Sequence, residues 1–600
     1  MPSGVQFNGY QINSPGAYAT IDANAIGYMN NSSQKVLALI GECTGGTVGE
    51  VMFFDNVVSA RKVLRSGDLF NACMKAWNPV ARSKEGVNTY GASMIACIRS
   101  NVNGAAQATN TSNGVTVTSV DYGAHTNQYS LTQTTNSDGN AYLINKGYCD
   151  ISVRDGSTGA EEKYANIGQV FVLCYKKGSN DTAAAFDKAQ YKVDSNGISI
   201  KRVAKSGQTL TGDTEITQAA VDSISTLRQN LSVGLGGGQV YTESPMSANV
   251  NLRGSDIDKV PTYTDMTLVD GVYKCVITAV SADFVDRVNR NQSSMITAEI
   301  TAPASTSTTI YASTTTLSGG ADGTSPVNDW SELIEQLSAH DVDYVVPLTS
   351  NAAVHAAVAE HCREMSGTAG KERRAVVGGG QGESISDTVS RASNLNSSRV
   401  QIVHGGFWDY ITSDNLTYFP PYILAAAVAG RACGIGDGES ITHDIFRMAE
   451  PEYQSLTKSE ISSLTNGGCI AFEQVITRVG SVNAETRLVW DVTTYTSEAN
   501  RYYTERAIGD LADTINKELR AKLDSLLVGR KGTIPVLTTA KNAVASVLYN
   551  RKTIGDILDY KNINIVKDAD ALYIEYNVAL AEPINFVLIT THYYSEPISI

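Results

Sequence analysis

Short apolar runs alternate with stretches of helical spacing in two separate parts of the chain. Buried strands are predicted at 36–40, 93–98, 343–347, 374–377 and 400–403. Helices are predicted over 351–365, which Ser350 would cap, and over 384–395. Because the strands are apolar throughout instead of alternating, this order predicts a mainly parallel sheet covered by helices.

The middle of the chain, residues 101–325, has a different composition. It is rich in Thr, Ser, Asn and Gly, and short alternating runs such as 114–118 recur between turn signals. This pattern predicts one or two β-rich domains inserted into the α/β domain. Residues 1–33 are polar and carry too little apolar surface to fold alone, so they are predicted to form an arm.

The C-terminal part predicts a strand at 487–494 and a long amphipathic helix, whose apolar face runs from Ile508 to Leu526. Pro535 would break that helix, and a second helix follows around Val544.

Two strands are predicted to end the chain. In the first, the apolar residues alternate and are Leu572, Ile574, Tyr576 and Val578. After Pro583 the alternation repeats, with apolar residues Ile584, Phe586 and Leu588, although Val587 and Ile589 between them are apolar as well. A strand that is apolar on both faces is covered on both faces, either by its own chain or by a partner.

The sequence therefore predicts a multidomain α/β protein with four parts. These are an arm at 1–33, a central and mainly parallel α/β domain, a β-rich insertion at 101–325, and an α+β C-terminal domain at 485–600. The central domain would be discontinuous and combine 34–100 with 326–484.

Charge and composition indicate which partners and which cellular compartment the protein can have. With 47 Lys and Arg against 61 Asp and Glu, the net charge of −14 argues against nucleic-acid binding by the overall field. The nine cysteines include no C-x-x-C, which predicts buried free thiols in a reducing compartment. The N-terminus does not resemble a signal peptide and no apolar run reaches about 20 residues, so we expect a soluble protein made in a cytoplasm.

The sequence gives little evidence for a catalytic site or a metal site. The seven histidines form no H-E-x-x-H and no i,i+4 pair, so they are predicted to be surface or capping residues. The glycine-rich run 378–382 lies where a phosphate loop would lie, but Glu383 would face the phosphate, which favours a tight strand-to-helix turn. No cofactor, metal or enzymatic activity is predicted.

Basic residues cluster in and after the long helix and are Lys517, Arg520, Lys522, Arg530 and Lys531. Either they form an ordinary solvated helix face, or they form a positive surface that meets an acidic partner.

Several segments in a fixed order resemble the contractile tail sheath family, which includes phage sheaths, pyocin-like particles and type VI secretion relatives. The segments begin with SPGAY at 14–18, LALIGECTGGTVGEV at 37–51 and RSGDL at 65–69. They continue with DYGAHTNQYSL at 121–131, DVDYVVPLTS at 341–350, GKERRAVVGG at 370–379, RVQIVHGGF at 399–407, PPYILAAAVAG at 420–430 and LVWDVTTY at 488–495.

The resemblance implies a structural subunit that polymerises as helically stacked hexameric rings around a tail tube, with the C-terminal domain as a polymerisation domain. The rings would contract to drive the tube through the host envelope during genome delivery. The implied partners are further copies of the chain, the tube, the baseplate and the tail terminator, with no nucleic acid and no direct membrane insertion. The implied location is the virion tail, after assembly in the host cytoplasm.

The resemblance also implies strand exchange between neighbours, which is a form of β-augmentation. The exchanged residues would be Pro15, Gly16 and Tyr18 in the N-terminal arm and Leu572, Ile574, Tyr576, Val578, Ile584, Phe586 and Leu588 in the final strands. The basic residues of the long helix and its following loop would face the tube. Two other classes remain: a nucleotide-dependent enzyme, which needs a phosphate loop, and a surface adhesin, which needs a secretion signal.

Overall fold

The computed structural model describes residues 35–82, 90–136, 148–244, 249, 251–302, 308–367, 370–412, 415–476 and 484–594. It also gives the backbone of two short strands, Val5–Phe7 and Tyr10–Ile12, which pair antiparallel. These parts form a mixed α/β structure with several sheets and helices. No helix in the described ranges is long and apolar enough to cross a membrane. Pro15, Gly16 and Tyr18 lie outside the described residues.

A seven-stranded sheet at the centre draws on two distant parts of the chain. In spatial order its strands are Cys469–Ile470, Val400–Val403, Arg374–Gly378, Tyr344–Pro347, Val36–Gly41, Met94–Arg99 and Met52–Phe54. Each pairing is parallel except the last, in which Met52–Phe54 runs antiparallel to its neighbour. The five strands predicted for a parallel sheet are therefore confirmed.

Both faces of this sheet are covered, which explains why its strands are apolar throughout. Leu37 and Leu39 belong to one hydrophobic cluster, whereas Ala38 and Ile40 belong to a second cluster on the opposite face. The helices of this part of the chain are Val57–Leu64, Asp68–Trp77, Ser331–Glu335, Ala352–Gly367, Ile385–Leu395, Pro421–Gly434 and Lys458–Asn466.

The predicted helix cap at Ser350 is wrong. Ser384 caps the helix Ile385–Leu395, because its side chain accepts a hydrogen bond from the backbone N–H of Asp387. Ser350 does not cap the helix Ala352–Gly367. Asn351 takes that place because it lies next to the first helical residue, and its side-chain oxygen accepts from the N–H of Ala353 at 2.8 Å.

The helix Pro421–Gly434 crosses the helix Asp68–Trp77 at very short range. A Cβ atom on Gly430 would lie 2.3 Å from the backbone oxygen of Ala76. The missing side chain at Gly430 is therefore what allows the two backbones to approach.

Two small sheets accompany the central one. The first consists of Phe472–Val475, Glu485–Leu488, Ile445–Phe446 and Val80–Arg82, and the second of Asn415–Phe419, Phe407–Thr412 and Glu450–Pro451. The strand predicted at 487–494 is wrong in extent, because it ends at Leu488. Asp491 does not continue the ladder; its carboxylate accepts hydrogen bonds from Arg506 and Gln401.

The described residues between 101 and 325 are β-rich, as their composition predicts. Their strands are Thr109–Ser112, Val115–Ser119, Tyr129–Thr135, Cys149–Asp155, Glu161–Ile167, Gln169–Lys176, Phe186–Asp194, Gly197–Ala204, Glu215–Gln218, Val233–Leu235, Gly238–Glu243, Val260–Asp265, Thr267–Val269, Val272–Thr278, Ile296–Ile300 and Thr315–Thr316. Two helices, Ile224–Asn230 and Val280–Arg290, pack among them. Two main hydrophobic clusters form here, one around Leu131 and Phe284 and one around Phe171 and Leu227.

The C-terminal part contains the helices Arg501–Thr504, Arg506–Leu527 and Ile534–Ile554, followed by the strands Ile557–Asp568 and Ala571–Leu580. We call Arg506–Leu527 the long helix, the two paired strands the tail hairpin, and residues 581–594 the tail segment. Pro535 does not break the long helix, which ends at Leu527. It lies in the first turn of the next helix, where its missing N–H costs no hydrogen bond.

Candidate functional site

The tail hairpin packs one face on the C-terminal helices. Ile574, Tyr576 and Val578 are half-buried against a cluster that includes Leu511 and Val547, and Leu572 is half-buried as well. The predicted alternation is therefore confirmed. Their strand, which the sequence assigned to exchange, pairs with Ile557–Asp568 of the same chain.

Each strand of the tail hairpin keeps one edge free of partners within the described residues, because the sheet has only two strands. Such an edge presents a row of backbone N–H and C=O groups that can pair with another chain. The outer face also exposes apolar side chains, among them Leu558 and Tyr573.

The tail segment exposes a continuous apolar stretch. Ile584 is 85% exposed, Phe586 72% and Leu588 94%, and both Val587 and Ile589 are exposed too. The strand predicted here does not form within the described chain, because no second strand pairs with it there. Contiguous apolar exposure of this kind marks an interaction site.

The beginning of the tail segment is attached to the body. Arg501 forms an ion pair with Glu582 and donates to the backbone oxygen of Pro583 at 3.1 Å. Asn585 donates from its side-chain amide to both carboxylate oxygens of Glu505 at 3.1 Å. Arg501, Pro583 and Asn585 line an open groove of about 680 Å³ whose wall includes Trp490.

Two of the predicted tube-facing cations are engaged within the chain. Lys517 lies 2.7 Å from a carboxylate oxygen of Asp343, and Arg520 forms an ion pair with Glu372. Burial would lower the pKa of Lys517, but Asp343 outweighs it and raises that pKa. Lys517 and Arg520 therefore attach the long helix to the central part of the chain, and their assignment to the tube-facing surface stays a prediction.

The other three predicted cations lie nearer the end of the long helix. Arg530 and Lys531 are exposed in the loop that follows the long helix, beside the exposed Val528. Lys522, within the long helix, is half-buried. These three remain candidates for a positive contact surface.

A buried charge network joins the start of the body to the long helix. The Nζ atom of Lys35, which is 3% exposed, lies 2.6 Å from Asp510 and 3.0 Å from Asp437. Arg551 lies 3.2 Å from the second oxygen of Asp437. Burial alone would raise the pKa of Asp510, but Lys35 and Arg506 outweigh it and hold that pKa at about 2.

The same network reaches the central sheet. Arg506 is fully buried, lies 2.8 Å from Asp491 and donates to the hydroxyl of Tyr344 at 3.1 Å. Asp513 accepts from both Arg374 and Arg399, at 2.7 and 2.9 Å. Since an unpaired buried charge is costly, these contacts fix the long helix on the sheet in one position.

This network was not predicted from the sequence. A signal for it exists in the chain, because Arg506, Asp510 and Asp513 are spaced four and three residues apart and so share one face of the long helix. Their partners lie far away in sequence, which is why spacing alone does not reveal them.

The glycine-rich turn offers no room for a phosphate. The N–H of Gly380 donates to Glu383 at 2.8 Å, and Arg391 donates to the other oxygen of the same carboxylate at 3.0 Å. Glu383 thus occupies the position a phosphate would need, and the predicted tight turn is confirmed.

Three histidines contradict the prediction that histidines lie at the surface or in caps: His355, His361 and His404 are buried. Burial lowers the pKa of His355 and of His361 to about 4, with Arg373 adding to the effect at His361. They are therefore neutral core residues. The described residues hold no group of three side chains suited to a metal ion. The prediction of buried free cysteines is confirmed.

Comparison with known proteins returns phage sheath proteins. No family model matches the chain. The tail sheath protein of Bacillus phage SP01 is 28% identical over 597 residues, which cover 98% of this chain and 97% of that protein. The putative tail sheath protein of Enterococcus phage phiEF24C is 28% identical over 608 residues and 98% of both chains.

Solved structures agree at the level of the fold. The sheath tail protein of Listeria innocua superposes with a TM-score of 0.54 at 12% identity, over 93% of this chain and 98% of that one. The sheath tail protein of Desulfitobacterium hafniense gives a TM-score of 0.51 at 13% identity, over 94% and 96%. From end to end, then, this chain is similar to phage tail sheath proteins, and the resemblance found in its sequence is confirmed.

Proposed function

We propose that the chain is the subunit of a contractile tail sheath. It polymerises as helically stacked hexameric rings around a tail tube and contracts to drive the tube through the host envelope during genome delivery. The role is structural and needs no cofactor. The partners are further copies of the chain, the tube, the baseplate and the tail terminator, and the protein acts in the virion tail after assembly in the host cytoplasm. Full-length similarity to phage tail sheath proteins supports this proposal.

The proposal rests on two features of the subunit that can complete each other between neighbouring copies. Among the described residues, the tail hairpin has free strand edges, and the exposed apolar stretch of the tail segment joins no sheet. The chain from Val587 onward in one copy, with the exposed Leu588 in its apolar stretch, can add to the free edge of a neighbour's tail hairpin. Each copy then completes another, which links subunits into a lattice.

The energies explain why the tail segment stays free in a single subunit. Burying about six apolar side chains contributes roughly 9–18 kcal/mol. Ordering about ten residues costs roughly 10–20 kcal/mol, and each ladder hydrogen bond adds about 1 kcal/mol net. The balance for one arm is near zero, so growth needs a surface that supplies several sites at once, such as a baseplate.

Contraction is possible because the folded bodies of neighbouring subunits are linked by their tails and can still move relative to one another. The central domain and the C-terminal helices move as one unit, because buried ion pairs such as Arg506–Asp491 and Arg374–Asp513 connect them. Exchanged tails hold neighbours together while these units rotate into a second packing that buries more surface. The energy is stored in the extended lattice, and no nucleotide is required.

Electron microscopy of the purified protein tests the polymer directly. We expect the full-length chain to form hollow, striated cylinders in negative stain. Leu588→Asp places a charge in the exchanged stretch and is expected to give folded subunits without cylinders.

Leu268→Asp is the matched control, because Leu268 is also exposed but lies in the β-rich insertion. It should leave the cylinders intact. Cylinders of normal length from the Leu588→Asp chain would contradict exchange through the tail segment, and their absence from the wild-type chain would contradict the sheath function.

The remaining basic residues are the proposed contact with the tube. Arg530 and Lys531 are exposed at the tip of the helix pair, where a positive surface can meet an acidic partner. The double change Arg530→Glu and Lys531→Glu is expected to leave free cylinders unaffected and to reduce assembly on tubes. Normal tube-bound sheaths from this variant would refute the assignment.

A further inference from the structure

The beginning and the end of the folded body are both attached to one short segment, which comprises the start of the long helix and the residues just before it. Lys35, where the N-terminal arm meets the body, contacts Asp510 in the long helix. Glu582 and Asn585, where the tail segment leaves the body, contact Arg501 and Glu505 just before that helix. We call residues 501–513 the bracket.

The C-terminal attachment is a set of contacts over five consecutive residues. Glu582 pairs with Arg501, the oxygen of Pro583 accepts from Arg501, and Asn585 donates to Glu505. The ring of Phe586 meets that of Trp490 edge-on at 5.8 Å. By contrast, no hydrogen bond joins residues 587–594 to the rest of the described chain.

Glu505 is the centre of this attachment. Its side chain is 4% exposed, and Arg501 donates to its two oxygens at 2.7 and 3.2 Å. The same two oxygens accept from Asn585. Because charge-assisted hydrogen bonds are stronger and more directional than neutral ones, Glu505 holds both the arginine and the chain that passes over it.

The bracket is in turn fixed to the core. Fully buried Arg506 binds Asp491 and Tyr344, and Asp513 binds Arg374 in the central sheet. A pull on either arm therefore reaches the parallel sheet through ion pairs, without passing through the tail hairpin.

We infer that the bracket is a mount that transmits mechanical load from both arms to the central sheet. Residues 582–586 stay on their own subunit, and only the chain from Val587 onward is exchanged. The inference rests on the proposed sheath function for the source of the load. It changes the role of Ile584 and Phe586, which the sequence assigned to exchange. They belong to the mount instead.

Engineered cysteines distinguish a mount from an exchanged strand. Ala499 and Ile584 are exposed and line the same groove, and the nine native cysteines are buried. In the Ala499→Cys, Ile584→Cys chain, a short bis-maleimide is expected to form an intrachain link in free subunits and in cylinders alike. A mixture of the two single variants should give no interchain dimer. Dimers from the mixed cylinders, at a yield similar to the intrachain link, would overturn the mount.

A second cysteine pair and a second substitution sharpen the result. Thr591 lies beyond the mount, so the Ala499→Cys, Thr591→Cys pair should link within a chain at least fivefold less. Arg501→Ala, added to the first pair, should lower the intrachain yield severalfold in subunits that circular dichroism shows to be folded, although the Tm should also fall because the nearly buried Glu505 loses its cation. An unchanged yield in Arg501→Ala would show that the contacts do not hold the segment.

Contraction tests whether the mount bears load. Cylinders of Arg501→Ala are expected to assemble but to fragment when contracted, leaving less than half the wild-type fraction of intact contracted cylinders in micrographs. An equal fraction would refute load bearing. If the wild-type chain forms no cylinders, the sheath function fails, whereas the cross-links in free subunits still decide whether the mount exists.

Discussion

Replacing Lys35 with methionine tests the buried charge network most sharply. Methionine keeps the length of the side chain and removes its charge. The change leaves two buried carboxylates short of a cation, because Lys35 lies 2.6 Å from Asp510 and 3.0 Å from Asp437. Each carboxylate retains one more distant partner, Arg506 at 3.3 Å and Arg551 at 3.2 Å.

The expected loss follows from these distances. Removing one member of a buried ion pair costs about 3–5 kcal/mol. Since both carboxylates keep a second partner, we expect Lys35→Met to lie at the lower end, at about 3 kcal/mol. For a domain of this size, that corresponds to a fall in Tm of about 6–12 °C.

A double-mutant cycle isolates the interaction. Asp510→Asn alone leaves Lys35 and Arg506 with less negative charge and is also expected to destabilise. Lys35→Met with Asp510→Asn removes one charge of each sign, so its loss should be smaller than the sum of the single losses by about 2 kcal/mol. Calorimetry and circular dichroism of purified subunits measure these changes.

Lys552→Met, which removes an exposed pair with Asp559, is the control and should leave the Tm unchanged within about 1 °C. Single changes that leave Tm unaltered, or losses that simply add, would refute the reasoning.

Three further outcomes are expected. The folded pKa of His355 is about 4, below its unfolded value of about 6.5, so stability should fall by about 3 kcal/mol as pH drops from 6.5 to 4, and His355→Gln should abolish that part of the fall in urea titrations. Lys517→Glu places a negative charge against carboxylates of the central domain and should lower the Tm by about 5 °C, whereas Arg530→Glu should not change it. Gly430→Leu should destabilise the central domain by about 3 kcal/mol, because its Cβ would collide with Ala76, and Gly367→Leu, with open space around it and no positive φ, serves as the control for a general effect of leucine.

The central sheet could be predicted because its signal is local. Leu37 to Ile40 are apolar without interruption, and that pattern is characteristic of a strand covered on both faces. The same holds for the alternation from Leu572 to Val578, which one face of the tail hairpin explains. In these segments, side-chain burial and local pattern agree.

The misses share a physical cause, which is that a distant partner decides the outcome. The β-branched run after Leu488 favours a strand, but Asp491 is held by Arg506 and leaves the ladder. Lys517 has the spacing of a solvated residue, yet its carboxylate partner lies 174 positions earlier in the chain. His355 is polar, but its ring is buried because Nε2 donates to the backbone oxygen of Thr349.

The tail segment shows the other limit of prediction from sequence. Ile584 and Leu588 share one apolar pattern, and that pattern correctly marks residues without a full partner in their own chain. It does not reveal that Arg501 and Glu505 attach the first few residues, because side-chain contacts across 80 positions leave no periodic trace.

The central claim is that copies of this chain complete one another's tail hairpins. A near-atomic electron cryomicroscopy map of assembled cylinders measures this directly. We expect the density after Phe586 to cross to a neighbouring subunit and to form a third strand on the edge of that neighbour's tail hairpin. Density that folds back onto its own hairpin, with neighbours joined only by contacts between their bodies, would contradict the account.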